Sequence, residues 1–316
     1  MLLLPPMPVR VNEIFFRNFD LQPMGGFLRW RILAGMLLTG YALFFGGLLI
    51  SARTLAILFP APRGDSLLPL SVITSMVFMH NLIQTPAYAT LTAFGVSCLA
   101  TYCWVQAWES GLGRAQFASG IAMGMLVLVR LEAVILCAVL GLGLLLMRRW
   151  RFLGWFVLGG LIPLALLLTY NMNQFGNPFH AGILRGNMNI LTFERDFVFA
   201  GLLAPRSGLV WYSALNMLGL VGLWVSHEAR LKMLGWGAWV LVALVLLRVP
   251  VMFYCVGKGA QTISDVAITC PPDWNALRQL IRFDVNRYVI PLAPFSVLGL
   301  RTLLTKVLKF PEKSNE

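Results

Sequence analysis

The chain has 316 residues, of which 58% are hydrophobic and 12% charged, against roughly 45–50% and about 25% in soluble domains. That composition excludes an ordinary soluble fold: a length that could hold one or two soluble domains is taken up instead by apolar spans of about 20 residues each. The 25 Lys and Arg against 13 Asp and Glu give a net charge of +12, but no basic-aromatic patch stands outside the apolar runs. The excess therefore points to cytoplasmic loops and anionic lipid, and no nucleic-acid partner is expected.

Residues 1–28 open with MLLLPP, too short an apolar stretch for a signal-peptide core. Ile32–Ser51 is an unbroken apolar run bracketed by Arg29, Arg31 and Arg53, long enough to cross a hydrocarbon core of about 30 Å. No formal charge appears from Ser66 to Trp108, too long a stretch for one helix, and the polar patch His80–Pro86 divides it into two spans. Pro86 is placed to begin the second, because proline suits a first helical turn.

Phe117–Met147 is apolar except for Arg130 and Glu132 near its middle. It reads either as one long helix with an internal ion pair or as two short helices that turn at Arg130. The Arg-Arg-Trp-Arg cluster at Arg148–Arg151 then marks the cytoplasmic side, and Phe152–Thr169 returns across. Gly208–Val225 crosses back to a short basic loop, His227–Lys232, and Met233–Tyr254 leads out to the loop Gly257–Arg287. Tyr288–Leu304 is the last span, and Lys306, Lys309 and Lys313 hold the tail 308–316 in the cytoplasm.

The fold class expected is all-α, a polytopic transmembrane bundle of about eight or nine spans, each near 20 residues. Counting Phe117–Met147 as two spans gives the larger number and an outer N-terminus; counting it as one gives the smaller and a cytoplasmic N-terminus. In either case 29–307 is one membrane domain with outer loops 171–207 and 257–287. Cys98, Cys103 and Cys137 lie in apolar runs as small hydrophobes, while Cys255 and Cys270 flank a polar loop and could pair in an oxidising compartment. With three His in the chain and no His/Cys cluster at ligand spacing, neither a metal nor a cofactor is expected.

The residues with chemical potential gather in and beside the outer loops. Arg130 stands inside an apolar run, where an unpaired cation costs roughly 2.5–3.5 kcal/mol; a turn suits Arg130 and Glu132 better than one helix, since residues two apart do not face each other. In the stretch from Tyr170 to Gly182, Gly176, Asn177 and Pro178 make a tight turn after Tyr170 and Asn171 leave the helix. His180 can donate to a phosphate or carry a proton. Arg206 precedes the span that Gly208 opens, either as a snorkelling anchor or as a phosphate ligand, and Arg287 and Tyr288 open the last span.

Four stretches in order carry a resemblance: GIAMGMLVLVRLE at Gly120–Glu132, YNMNQFGNPFHAG at Tyr170–Gly182, GLLAPRSGLVWYS at Gly201–Ser213 and RYVIPLAPF at Arg287–Phe295. Together they resemble the membrane-embedded GT-C glycosyltransferases, in the branch related to protein mannosyltransferases and bacterial lipid-A aminoarabinose transferases. The resemblance implies transfer of a sugar from a polyprenyl-phosphate carrier to a glycan, lipid or protein acceptor at the outer face of a bacterial inner membrane. A site for that transfer must hold the carrier phosphate, which suits the planar fork of arginine; Arg130, Arg185, Arg206 and Arg287 are the candidates, with Tyr170, Asn171, Asn177, His180 and Tyr288 as further candidate substrate contacts.

The chain departs from that pattern twice. Trp274-Asn275-Ala276 stands where many relatives have a Trp-Gly-Gly-like stretch. The family's catalytic carboxylate follows a first transmembrane helix; here the tail 1–28 resembles the later part of that first outer loop, and Glu13 and Asp20 are its only carboxylates. A truncated or inactive member is thus one expectation. The rival is a non-enzymatic multipass protein, a transporter or an assembly partner of a glycan pathway, against which the clustering of polar residues in outer loops and the lack of an internal repeat weigh.

Overall fold

The computed structural model describes residues 26–59, 88–178, 189–191, 214–250 and 292–307. Among them are eight helices: α1 Gly26–Leu58, α2 Tyr88–Ser110, α3 Gly113–Val129, α4 Ala133–Leu146, α5 Trp150–Phe175, α6 Ala214–Val225, α7 Ala229–Leu247 and α8 Ala293–Val307. The all-α expectation holds apart from one short ribbon, in which β1 (Asn189–Leu191) pairs antiparallel with β2 (Arg248–Pro250) and Ile190 lies opposite Val249.

Two stretches, Leu38–Leu58 and Trp150–Asn173, are long and apolar enough to cross a membrane, whereas α3, α4 and α6 are apolar but shorter. A helical bundle with two helices of spanning length is what the described residues establish. Several boundaries differ from the sequence expectation. The run placed at Ile32–Ser51 is helical from Gly26 to Leu58, and that placed at Phe152–Thr169 continues to Phe175. The expected Met233–Tyr254 span starts earlier, at Ala229, and ends earlier, at Leu247. Pro250 accounts for that end, since it lacks an amide donor and drives the residue before it, Val249, out of helical geometry.

Of the two readings of Phe117–Met147, the structure takes the second. Arg130 leaves α3 in an extended conformation (φ −142°, ψ 103°), its amide still bonded to the Leu126 carbonyl at 2.8 Å, and α4 begins at Ala133. The Cys137 thiol reaches back to the Met123 carbonyl at 3.7 Å, so α4 runs antiparallel to α3.

Close contacts fix the other directions. Phe44 meets Phe94 with ring centroids 5.4 Å apart, and Gly47 lies against Gly95 and Cys98, so α1 and α2 run parallel. The last residues of α1 and the first of α2 therefore lie at opposite ends of the bundle; the span expected between Ser66 and His80 lies outside the described residues. On α3 and α5, Gly113 lies against Trp155, Gly120 against the Phe156 backbone and Gly124 against Pro163, again parallel. Likewise α6 and α8 run parallel, Gly219 on Ser296 and Gly222 on Gly299, with no room for a Cβ at these glycines. Helix α7 returns antiparallel to α6, Trp239 Nε1 donating to the Leu220 carbonyl at 3.3 Å, and antiparallel to α4, with Gly143 on Met233 and Gly237 on Leu136.

The bundle consequently has two unlike ends. At one lie the turns after Ser110, Leu146 and Val225 and the last residues of α1 and α8; the cations Arg53, Arg114, Arg148, Arg149, Arg151, Arg230 and Lys232 all stand here. At the other lie the Arg130–Glu132 turn, the last turns of α5 and α7, the ribbon and the first residues of α1, α2, α6 and α8, with Arg29, Arg31, Arg130 and Arg248 among them. Between them the core is sealed by aromatic and aliphatic packing, with Trp104 fully buried and its ring 5.3 Å from Phe152.

Candidate functional site

At the end opposite the basic turns, α3 stops short of its parallel neighbour. Since Gly120 lies beside Phe156 and Gly160, and Gly124 beside Pro163, Arg130 comes level with roughly Leu168. At 1.5 Å per residue, α5 then continues for about 10 Å beyond it. The half-buried Arg130 and Glu132 thus form the floor of a step whose wall is the last two turns of α5.

That wall is polar because α5 ends on Tyr170-Asn171-Met172-Asn173 before its cap. Gly176 takes the left-handed conformation at φ 67°, which costs glycine no Cβ clash, and its amide bonds to the Met172 carbonyl at 2.9 Å. Asn171 is 9% exposed and its side-chain amide donates to the Pro178 carbonyl at 3.1 Å. Its visible work is to tie the turn back onto the helix. Tyr170 and Asn177 are exposed at the rim.

Arg130, Tyr170, Asn171 and Asn177 are therefore brought to one end of the bundle. His180, Arg185, Arg206, Arg287, Tyr288, Glu13 and Asp20 lie outside the described residues, as do Cys255 and Cys270. Sequence reading passed over Arg248, which opens β2 opposite Leu191 and brings the segment after α7 beside the segment after α5 at this same end. Its signal was available: a cation inside an expected span, two residues before a proline.

The other end holds an ion cluster built from residues far apart in the sequence. Arg230 Nη1 donates to Glu109 at the end of α2, and Arg230 Nε donates to Glu228 at 2.6 Å, so one guanidinium joins two hairpin turns. Partial burial, which disfavours each charged form, pushes the Glu228 carboxyl above its ordinary range and holds Arg230 below its own. A raised carboxyl contributes stability that is present below its unfolded value of 4.5 and lost as pH rises through the raised folded range. The Glu228 contribution should accordingly appear as the difference between wild-type and Glu228→Gln unfolding profiles, the variant gaining on wild type from the carboxylate range toward neutrality. Arg230→Met, which leaves the two carboxylates facing each other, should cost about 1–2 kcal/mol at neutral pH and less in acid, below the 3–5 of a fully buried pair. Parallel pH profiles for wild type and Glu228→Gln would contradict this account.

Comparison of the chain with protein-family models, with curated proteins and with solved structures finds no match. The likeness carried by the four sequence segments rests on those segments alone.

Proposed function

We propose that the protein is a polytopic GT-C-type glycosyltransferase of a bacterial inner membrane. On this reading it takes sugar from a polyprenyl-phosphate carrier and passes it to a glycan, lipid or protein acceptor at the outer face. The single observation that carries the reading is the Arg130 turn: an arginine whose backbone stands about 10 Å short of the end of α5, at the same end of the bundle as an asparagine-rich helix exit and opposite the Arg148–Arg151 turn. A planar cation at that depth suits a lipid-borne phosphate, whose two oxygens it can meet at once. The opposite placement of the basic turns supports an outer position for the step.

The short helices α3 and α4 fit a protein whose site is sunk below the membrane surface, since together they turn before reaching full depth. In the proposed reaction Arg130, with Arg206 and Arg287 from segments beyond those described, steadies the phosphate as the anomeric carbon–oxygen bond breaks. Asp20 or Glu13 takes the proton of the acceptor hydroxyl.

Reconstituted protein supplied with a panel of polyprenyl-phosphate-linked sugars decides between this reading and its rival. Transfer that falls to background in Asp20→Asn or Glu13→Gln, with carrier still bound, is the expected result. Carrier binding with no transfer by wild type would favour an assembly partner of a glycan pathway, and transmembrane movement of the carrier without transfer would favour a transporter. Transfer undiminished in both carboxylate variants would remove the tail from the mechanism.

A further inference from the structure

At the basic end, α4 closes with a pattern of backbone bonds that normally calls for glycine. The Arg148 amide bonds to the Leu145 carbonyl and the Arg149 amide to the Leu144 carbonyl, both at 3.0 Å, the paired bonds that finish a helix through one left-handed residue. That residue is Arg148, at φ 58°, and among the described non-glycine residues it is the one with positive φ. A side chain there is strained by its own Cβ, so the chain keeps a guanidinium where glycine would sit more easily.

Its surroundings say what that charge is for. Arg148, Arg149 and Arg151 are all exposed, and Trp150 between them is 62% exposed. Arg149 lies 4.0 Å over the Trp108 ring, which fixes its direction. At the same end the carboxylates Glu109 and Glu228 are both engaged by Arg230. The two helices that the turn joins carry exposed apolar side chains, Leu142 and Leu146 on α4 and Leu158 on α5.

The geometry points to the Arg148–Arg151 turn as a binding site for the headgroup of an anionic phospholipid, with an acyl chain lying along the exposed leucines. Charge complementarity selects the anion, and the apolar track next to it selects a lipid over a free phosphate. Trp150 adds the amphipathic ring that favours the headgroup level. This site is separate from the sugar transfer proposed above and rests only on the bundle lying in a membrane.

The test uses purified protein in zwitterionic phosphatidylcholine nanodiscs titrated with phosphatidylglycerol, binding being read by native mass spectrometry and by the shift in thermal unfolding. Arg148→Gly removes the charge and relieves the backbone, so loss of binding cannot be blamed on misfolding; Arg151→Gln is combined with it. Each cation near an anionic surface is worth about fivefold in affinity, so the double variant should bind phosphatidylglycerol roughly thirtyfold more weakly while unfolding no earlier in phosphatidylcholine. Arg53→Gln, on α1 at the same end, should leave the preference intact. Full preference retained by the double variant, equal loss in Arg53→Gln, or an equal shift from inorganic phosphate would overturn the site. Failure to enter phosphatidylcholine at all would instead sink the membrane reading itself.

Discussion

Arg130→Gln should lower turnover by about two to three orders of magnitude, the usual loss when one preorganised donor to a developing anion is removed from a water-poor site. Arg130→Lys should recover part of it, because a point charge replaces the fork without matching its two parallel bonds. The fold tolerates the change better than a helix interior would: Arg130 caps α3 through its backbone amide, and any residue supplies that bond. Measuring kcat and KM with a polyprenyl-phosphate-linked sugar at equal folded yield separates the roles. If the loss is in leaving-group stabilisation, kcat falls; if Arg130 only anchors ground-state carrier, KM rises alone. Unchanged kinetics in the glutamine variant would end the assignment of the step as the site.

The second large effect is expected far from any chemistry. Gly299→Leu should prevent assembly of the bundle, because a Cβ at Gly299 would collide with the backbone of Gly219 and Leu223 on α6. Both walls are backbone, so neither can yield as a flexible side chain would, and the cost should exceed the roughly 1–3 kcal/mol of ordinary overpacking. Gly154→Leu is the control: nothing lies within 4 Å of a Cβ there, and its effect should stay within about 0.5 kcal/mol. Size-exclusion yield and thermal unfolding in detergent give the comparison. Similar yields for the two leucine variants would mean that the α6–α8 crossing does not hold the fold together.

How much of this was legible beforehand follows from the kind of signal each feature sends. Long apolar runs announce helices wherever they fall, and the described helices overlap the runs read from the sequence. The break at Arg130 could be narrowed to two readings, because an ion pair two residues apart fits poorly on one helix; choosing between them needed the antiparallel contact of Cys137 with Met123. The end of α7 at Leu247 was readable from Pro250 but was hidden by the hydrophobicity of the residues around it. Nothing local could have shown that Glu109 and Arg230 meet, since 121 residues separate them. The same holds for the step beside α5, which exists because two parallel helices differ in length.

The parallel pairing of α1 with α2, α3 with α5 and α6 with α8 has a bearing on biosynthesis. A hairpin can close as soon as its second arm leaves the ribosome, but parallel partners must wait for the chain between them. For α6 the delay is longest: its tightest face, Gly219 and Gly222, is covered by a helix that starts at Ala293. Until that last helix arrives, a glycine-lined backbone surface stands open in the nascent protein. The arrival of α8 is therefore the step that covers this face, and a ribosome stalled before Ala293 would release a product whose α6 glycines have no partner helix to close on.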